Sequence, residues 1–146
     1  MLKLDTKAPN FSLLNSENKF YQLSDALGDW VIVYFYPKDD TPGCTKEACD
    51  FRDNMGTLTN KDCIVYGISR DNIESHAKFE NKYDLNFTLL SDPDLTVHSA
   101  YQVLEGAKTV RTTFLIDKSG NIVKIWPNVK VDTHVQEIIN YLKTLK

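Results

Sequence analysis

The chain has 146 residues, of which 42% are hydrophobic and 25% are charged, and its formal net charge at pH 7 is −3. This length and composition predict one globular domain over residues 1–146, and the mild negative charge excludes an electrostatic surface for nucleic acid. No apolar run approaches the ~20 residues of a membrane span, and the N-terminus lacks the apolar stretch of a secretory signal. Three cysteines are too few for a disulfide scaffold, so we expect a reducing, cytoplasmic location in which a disulfide is transient.

Taken in chain order, the hydrophobic and turn-forming residues predict an opening β-hairpin and then alternating strands and helices. The predicted strands cover residues 11–14, 19–23, 30–36, 63–69, 87–90, 112–117 and 121–126. The predicted helices are one turn near residues 24–27, a segment from 44 to about 58, a segment that Asp71 or Asn72 caps, a short segment from Asp94 and an amphipathic C-terminal segment. Residues 102–110 are predicted as a loop. Parallel strands are expected early and antiparallel strands late, which makes the fold class an α/β sandwich.

The stretch of residues 30–53 has the clearest potential for chemistry. Its apolar run is typical of a buried strand, and Pro37 ends that strand because proline has no N–H for the sheet. A turn through Thr41 follows and helix-forming residues come next, so Cys44 is predicted at or next to a helix N-terminus. The helix dipole and the free N–H groups there favour an anion, and the thiolate is the reactive form of a cysteine.

Cys49 lies five residues after Cys44. If both cysteines lie on one regular helix, their Cα atoms are ~8.6 Å apart, whereas a disulfide tolerates at most about 7 Å. Either the pair never bonds, or the first turns of the helix unwind to let it bond. The second case would be a redox switch with a reactive cysteine and a resolving partner.

The segment Pro37-x-x-x-Thr41-x-x-Cys44 resembles the active-site signature of the peroxiredoxins. Cys49 is placed as in the bacterioferritin-comigratory-protein, or Q-type, peroxiredoxins. The resemblance covers nearly the whole chain and includes segments 8–11, 36–53, 75–79, 90–92 and 111–117. It implies a thioredoxin-like α/β sandwich with an N-terminal β-hairpin extension. It also implies a thiol-dependent peroxidase that reduces hydrogen peroxide and organic hydroperoxides in antioxidant defence.

The resemblance implies a role for each cysteine of the pair. Cys44 would be oxidised to a sulfenic acid, and Cys49 would condense with it to an intramolecular disulfide. Thioredoxin, or a glutaredoxin-like protein, would then reduce this disulfide. No metal, haem or flavin is expected, because sulfur carries the redox chemistry. A resolving cysteine within the same chain removes the need for a dimer, so a monomer is expected.

Four further residues are candidates for the site. The Thr41 hydroxyl can both accept and donate, which suits holding a peroxide oxygen, although an ordinary turn threonine is an equal alternative. The resemblance implies that Pro37 covers the pocket, that Arg111 is the activating arginine and that Glu47 orients it. A solvated helix acid remains the alternative for Glu47.

Three other functions stay open on the residues alone. They are a one-cysteine peroxidase with an external resolving thiol, a thiol–disulfide oxidoreductase, and a redox sensor that reacts once without turnover. The usual C-x-x-C of an oxidoreductase is absent. Cys63 opens an apolar strand and is predicted to be a small core residue. The compact segment 102–110 departs from the longer, glycine-rich connection of the family, which leaves substrate preference open.

Overall fold

The computed structural model describes residues 2–145, which form a central mixed sheet with helices on both faces. The strands are β1 (Ser12–Asn15), β2 (Phe20–Gln22), β3 (Trp30–Phe35), β4 (Cys63–Ser69), β5 (Thr88–Ser91), β6 (Leu104–Glu105), β7 (Lys108–Thr109), β8 (Thr112–Ile116) and β9 (Ile122–Trp126). The helices are α1 (Leu23–Ala26), α2 (Pro42–Asp53), α3 (Met55–Asn60), α4 (Ile73–Tyr83), α5 (Thr96–Ala100) and α6 (His134–Leu142).

The main sheet has seven strands in the order β2-β1-β5-β4-β3-β8-β9. Strands β3, β4 and β5 pair in parallel, whereas β8 pairs antiparallel with both β3 and β9. The prediction of parallel strands early and antiparallel strands late is therefore confirmed. The N-terminal hairpin joins the same sheet, because β1 pairs antiparallel with β5.

Strand β3 lies inside the sheet and is covered on both faces. Ile32 and Tyr34 point into one apolar cluster, which helices α2, α3, α4 and α6 cover. Val31, Val33 and Phe35 point into a second cluster, which α1 and α5 cover. Burial on both faces explains why the sequence of this strand is a continuous apolar run rather than an alternating one.

Two predicted segments differ from the structure. Residues 102–110 contain a short hairpin, β6–β7, in which Leu104 pairs with Thr109 and Gly106 has a φ of +63°. Strands of two residues are too short to show an alternating pattern. The predicted helix 44–58 is divided at Asn54 into α2 and α3. No helix formed by residues 2–145 is both long and apolar enough to cross a membrane.

Candidate active site

The loop after β3 leads directly into α2 and delivers Cys44 to the start of that helix. Pro42 is the first helical residue, where its fixed φ suits a helix and its missing N–H costs nothing. Cys44 is the third residue of the helix, as predicted, and it is buried, with 1% of its surface exposed. The free N–H groups and positive dipole end of a helix N-terminus therefore lie beside its thiol.

Arg111 comes from the segment before β8, and β8 pairs with β3, so the sheet brings the arginine to the same end as α2. Its Nη2 donates to the Cys44 sulfur at 3.0 Å, and its Nη1 donates to Glu47 Oε1 at 3.2 Å. Glu47 lies one helical turn after Cys44, which places both side chains on one face of α2. One guanidinium thus joins a cysteine and a carboxyl on the first two turns of the helix.

The Glu47 side chain is almost fully buried, with 1% of it exposed. Burial raises the pKa of Glu47 to about 8, and the charge of Arg111 and its hydrogen bond oppose this rise. A carboxyl with this pKa keeps its proton through much of the neutral range. It can then accept a hydrogen bond from Arg111 and orient the guanidinium without cancelling the positive charge that faces Cys44.

Cys44 and Cys49 lie on the same unbroken helix α2, and both are free thiols. The expectation that one regular helix holds the two cysteines apart is therefore confirmed. Cys49 is half-buried, which leaves it partly accessible from solvent. Cys63 is buried at the start of β4, and burial raises the pKa of its thiol to about 11.

The sequence profile of the AhpC/TSA family matches residues 4–125. The chain belongs to the AhpC/TSA family. It is 40% identical to peroxiredoxin Bcp of Bacillus subtilis, over 99% of this chain and 97% of that protein. Its fold matches a cysteine-to-serine mutant of PrxQ from Xylella fastidiosa with a TM-score of 0.94 and 32% identity, covering 99% of this chain and 97% of that one. It also matches a Xanthomonas campestris bacterioferritin comigratory protein, studied for alkyl peroxide reduction, with a TM-score of 0.91 and 31% identity, covering 97% and 98%.

These matches confirm the predicted resemblance to peroxiredoxins of the bacterioferritin-comigratory, or Q, type. The thioredoxin-like fold is confirmed by solved structures that superimpose over nearly the whole chain. The chain is a thiol-dependent peroxidase of this family, and the predicted oxidoreductase class is confirmed.

Two further candidate residues of this peroxiredoxin, Thr41 and Pro37, belong to the loop that precedes α2. The Thr41 hydroxyl donates to the carbonyl of Lys38 at 2.9 Å, and among residues 2–145 no hydrogen bond joins it to the Cys44 sulfur. Its lone pairs stay available to accept from a ligand. Pro37 is half-buried at the end of β3 and begins the loop that Thr41 ends.

Gly43 is a residue of the site that the sequence pattern did not reveal. A Cβ on this residue would lie 2.9 Å from Arg111 Nη2, which is closer than real Cβ atoms approach other atoms. The missing side chain therefore lets the guanidinium lie against the first turn of α2. The residues predict a turn here, where glycine is common, so no signal pointed to this role.

Tyr34 is a second residue that sequence reasoning missed. Its ring stacks on Phe51 of α2 with centroids 4.6 Å apart. Its buried hydroxyl finds no hydrogen-bond partner in the part of the chain that the structure describes. Burial raises the pKa of Tyr34 well above its ordinary value, and Glu47 and Cys44 add to the rise. Tyr34 therefore packs as an un-ionised side chain between strand β3 and helix α2.

Among the described residues, neither a metal-binding cluster nor the cavity beside the N-terminal hairpin includes Cys44 or Arg111. Within residues 2–145, no group of three or more His, Cys, Asp or Glu side chains is placed to hold a metal ion. A cavity of about 690 Å³ lies between the N-terminal hairpin and α4, and it is lined by polar residues that include Asn15, Glu80 and Asn86. None of the residues that line this cavity takes part in the Arg111–Cys44 contact.

Proposed function

We propose that Cys44 is the cysteine that attacks peroxide, with hydrogen peroxide and organic hydroperoxides as substrates. The observation that carries this proposal is the 3.0 Å contact from Arg111 Nη2 to the Cys44 sulfur. A cationic N–H at this distance stabilises a thiolate, and it can also stabilise the negative charge that develops on the departing oxygen. The alkyl peroxide reduction studied in the Xanthomonas relative supports organic hydroperoxides as substrates here.

In the first step, the Cys44 thiolate attacks one peroxide oxygen. The S–O bond forms as the O–O bond breaks, and the other oxygen takes a proton and leaves as water or an alcohol. The sulfur is oxidised by two electrons to a sulfenic acid. Thr41 accepts a hydrogen bond from the peroxide through its free lone pairs, and Pro37 shields the reacting atoms from water.

In the second step, the Cys49 thiol condenses with the sulfenic acid, a disulfide forms, and one water leaves. Helical geometry keeps the two Cα atoms ~8.6 Å apart, so the first turns of α2 must unwind. Oxidation favours this unwinding, because a neutral sulfenic acid attracts Arg111 less than a thiolate does. Glu47 holds the guanidinium in place for the next cycle.

A dithiol protein then reduces the disulfide and restores both thiols. Thioredoxin is the donor that we propose, with a glutaredoxin-like protein as the alternative. The cycle needs one chain, so we propose a monomer that acts in antioxidant defence in the reducing cytoplasm. Size-exclusion chromatography with light scattering at micromolar concentration checks the monomer, and a mass of two chains would contradict it.

The decisive experiment maps thiols after a single oxidation. Fully reduced protein is mixed with one equivalent of hydrogen peroxide, quenched within a second with an alkylating agent, and analysed by peptide mass. We expect a Cys44–Cys49 linkage with Cys63 still free. The Cys49→Ser variant, as the matched control, should stop at a sulfenic acid on Cys44. Sulfenic acid on Cys44 beside a free Cys49 in the unsubstituted protein would indicate a one-cysteine mechanism, and three unreacted cysteines would refute the proposal.

Two further measurements separate the remaining alternatives. Turnover is followed by NADPH oxidation with thioredoxin and its reductase, and separately with glutaredoxin and glutathione. A redox sensor would be oxidised once and would not turn over, and a thiol–disulfide oxidoreductase would react slowly with peroxide.

Hydrogen exchange tests the unwinding of α2: oxidised protein should lose amide protection in α2 between Cys44 and Phe51, and unchanged protection would contradict the unwinding.

A further inference from the structure

The loop between β3 and α2 contains a buried carboxylate, Asp39, with 7% of its surface exposed. Asp39 accepts three side-chain hydrogen bonds. Its Oδ1 accepts from the Tyr36 hydroxyl at 2.6 Å, and its Oδ2 contacts the Ser75 hydroxyl at 2.8 Å and His76 Nδ1 at 2.7 Å. A buried carboxylate with this many donors is a satisfied group, and its position is therefore strongly defined.

The surroundings of His76 show where its protons lie. The ring is fully buried, and its Nε2 lies 3.1 Å from the Leu90 carbonyl, which can only accept. Nε2 therefore carries a proton, and a second proton lies between Nδ1 and Asp39. Together the two side chains are neutral, as a buried pair should be. An amide at position 39 could accept at only one of its two ends, so the three donors could not all keep their hydrogen bonds to it.

The partners of Asp39 come from distant parts of the chain. Ser75 and His76 lie 36 and 37 residues further along, in the first turns of α4. The Asp39 backbone N–H donates to Asp71 Oδ2 at 2.8 Å, and this atom also accepts from the Ser69 hydroxyl at the end of β4. One loop residue is thus attached to the start of α4 directly and to the end of β4 through Asp71.

A second buried pair, Asp92 and His98, shows that not every buried Asp–His pair forms hydrogen bonds between distant parts of the chain. Its Nδ1–Oδ2 distance is also 2.7 Å, and both side chains are fully buried. Here, however, the carboxylate accepts from the backbone N–H groups of Val97 and His98, five and six residues away. This pair caps α5 locally, and within residues 2–145 no hydrogen bond joins it to the loop before Cys44.

We propose that Asp39 and His76 are positioning residues for peroxide reduction, which hold the loop of residues 37–41 in its place beside Cys44. Asp39 lies midway between Pro37 and Thr41, so a fixed Asp39 side chain fixes the backbone on both sides. The pair does not touch the reacting sulfur and acts through the loop. The inference rests on the proposed function of Cys44 and extends it to two residues that no spacing in the sequence connects.

The test compares Asp39→Asn with Asp92→Asn, which makes the same change in the matched pair. We expect the rate constant for oxidation of Cys44 by hydrogen peroxide to fall about 10- to 100-fold in Asp39→Asn, because small misplacements of groups around a reactant cost this much. Alkylation of Cys44 by iodoacetamide, which needs no aligned peroxide, should change by less than about 3-fold on the same reasoning. Asp92→Asn should lose comparable thermal stability and keep the peroxide rate within about 3-fold, since it leaves the loop in place.

Two results would overturn the inference. One is an equal loss of peroxide rate in both variants, which would make Asp39 an ordinary buried carboxylate. The other is an equal loss of peroxide and iodoacetamide reactivity in Asp39→Asn, which would place the effect on the thiol rather than on the loop. If Asp39→Asn does not fold, Ser75→Ala removes one donor to Asp39, and a peroxide rate unchanged there would also refute the inference. Failure of the unsubstituted Cys44 to react with peroxide would instead refute the proposed function.

Discussion

Two of the three cysteines, Cys44 and Cys63, are almost equally buried, yet their surroundings are opposite. The two residues expose 1% and 5% of their surfaces. Cys44 lies in the first turn of α2 and receives an N–H from Arg111 at 3.0 Å. Cys63 opens β4, and its sulfur lies 3.7 Å from the carbonyl of Lys61. The two thiols therefore differ not in burial but in the group that each sulfur contacts, an arginine N–H for Cys44 and a carbonyl for Cys63.

The direction of each hydrogen bond decides which form of the thiol it favours. An arginine can only donate, so the Cys44 sulfur accepts in this contact, and a thiolate accepts more strongly than a thiol. A carbonyl can only accept, so the contact to Cys63 favours the protonated thiol. Burial acts in the same sense at Cys63 and raises its pKa to about 11. Two almost equally buried thiols thus differ in whether a donor or an acceptor faces the sulfur, and this difference predicts that Cys44 is the more reactive.

The largest expected effect follows from removal of that donor. Arg111→Met keeps an unbranched, flexible apolar side chain and removes the N–H groups and the charge, which makes the surroundings of Cys44 resemble those of Cys63. We expect the rate constant for Cys44 oxidation by hydrogen peroxide to fall about 10²- to 10³-fold, as for loss of a donor that stabilises developing charge. Competition against a peroxidase of known rate measures it.

Arg111→Lys is the matched control for this prediction. It keeps the positive charge but cannot donate to Cys44 and Glu47 from one rigid fork, so an intermediate rate is expected. A rate for Arg111→Met within about 3-fold of the unsubstituted protein would contradict the electrostatic account, because a donor of this kind is worth far more.

A smaller effect is expected when the same donor is displaced rather than removed. The Cβ of Gly43→Ala would lie 2.9 Å from Arg111 Nη2, so the guanidinium must shift. We expect the peroxide rate to fall by about 10-fold, in line with the cost of small misplacements. Alanine is the better helix former, so the melting temperature should not fall. If the peroxide rate and the melting temperature both fall, the substitution has disturbed the fold. That result would contradict a specific role of Gly43 in positioning Arg111.

The sequence predicts the surroundings of Cys44 well because those signals are local. Pro37 follows the end of β3 because proline cannot donate to the sheet, and the helix-forming residues after Cys44 predict the helix there. That helix begins two residues earlier than the pattern indicates, at Pro42. The bounds of β4 are as predicted, because a strand covered on both faces leaves an uninterrupted apolar run. By contrast, the position of Arg111 came from the resemblance to a family, since no spacing relates residues 44 and 111.

Long-range polar contacts are the part that could not be predicted. Asp39 and His76 are 37 residues apart, and a histidine within a helical segment carries no signal of its partner. The role of Gly43 was also hard to predict, because it depends on the absence of a side chain where Arg111 lies. The break between α2 and α3 at Asn54 was also missed, where the Asn54 side chain bonds back to the carbonyl of Asp50.

A third test asks whether Glu47, the partner of Arg111, is protonated in the folded protein, and it measures stability as a function of pH. In the folded protein, burial raises the pKa of Glu47 from 4.5 to about 8. Between these values the folded state holds a proton that the unfolded chain releases, so this residue makes the free energy of unfolding fall as pH rises. Glu47→Gln cannot titrate and still accepts from Arg111. Its stability relative to the unsubstituted protein should therefore rise from pH 5.5 to 8.5, by at most about 1.4 kcal/mol per pH unit, while the peroxide rate at pH 7 changes only about 3-fold.

Urea unfolding of both proteins at several pH values checks the Glu47 prediction, because all other titrating groups cancel in the difference. Two parallel stability curves would mean that Glu47 is ionised throughout this range. Arg111 would then be largely neutralised by Glu47, and the helix N-terminus would have to supply more of the stabilisation of the Cys44 thiolate.

The smallest effect on the peroxide rate is expected for a substitution of Cys63, the thiol that faces a carbonyl. Cys63→Ala removes a thiol that no step of the proposed cycle uses, so the peroxide rate and the turnover with thioredoxin should stay within about 2-fold, as for a substitution outside the reacting groups. Stability should fall by about 1 kcal/mol, because a buried sulfur is lost. In the unsubstituted protein at pH 7, iodoacetamide should label Cys44 well before Cys63, since the raised pKa keeps Cys63 protonated. Labelling of both at similar rates would show that the Arg111 contact does not control thiol reactivity here.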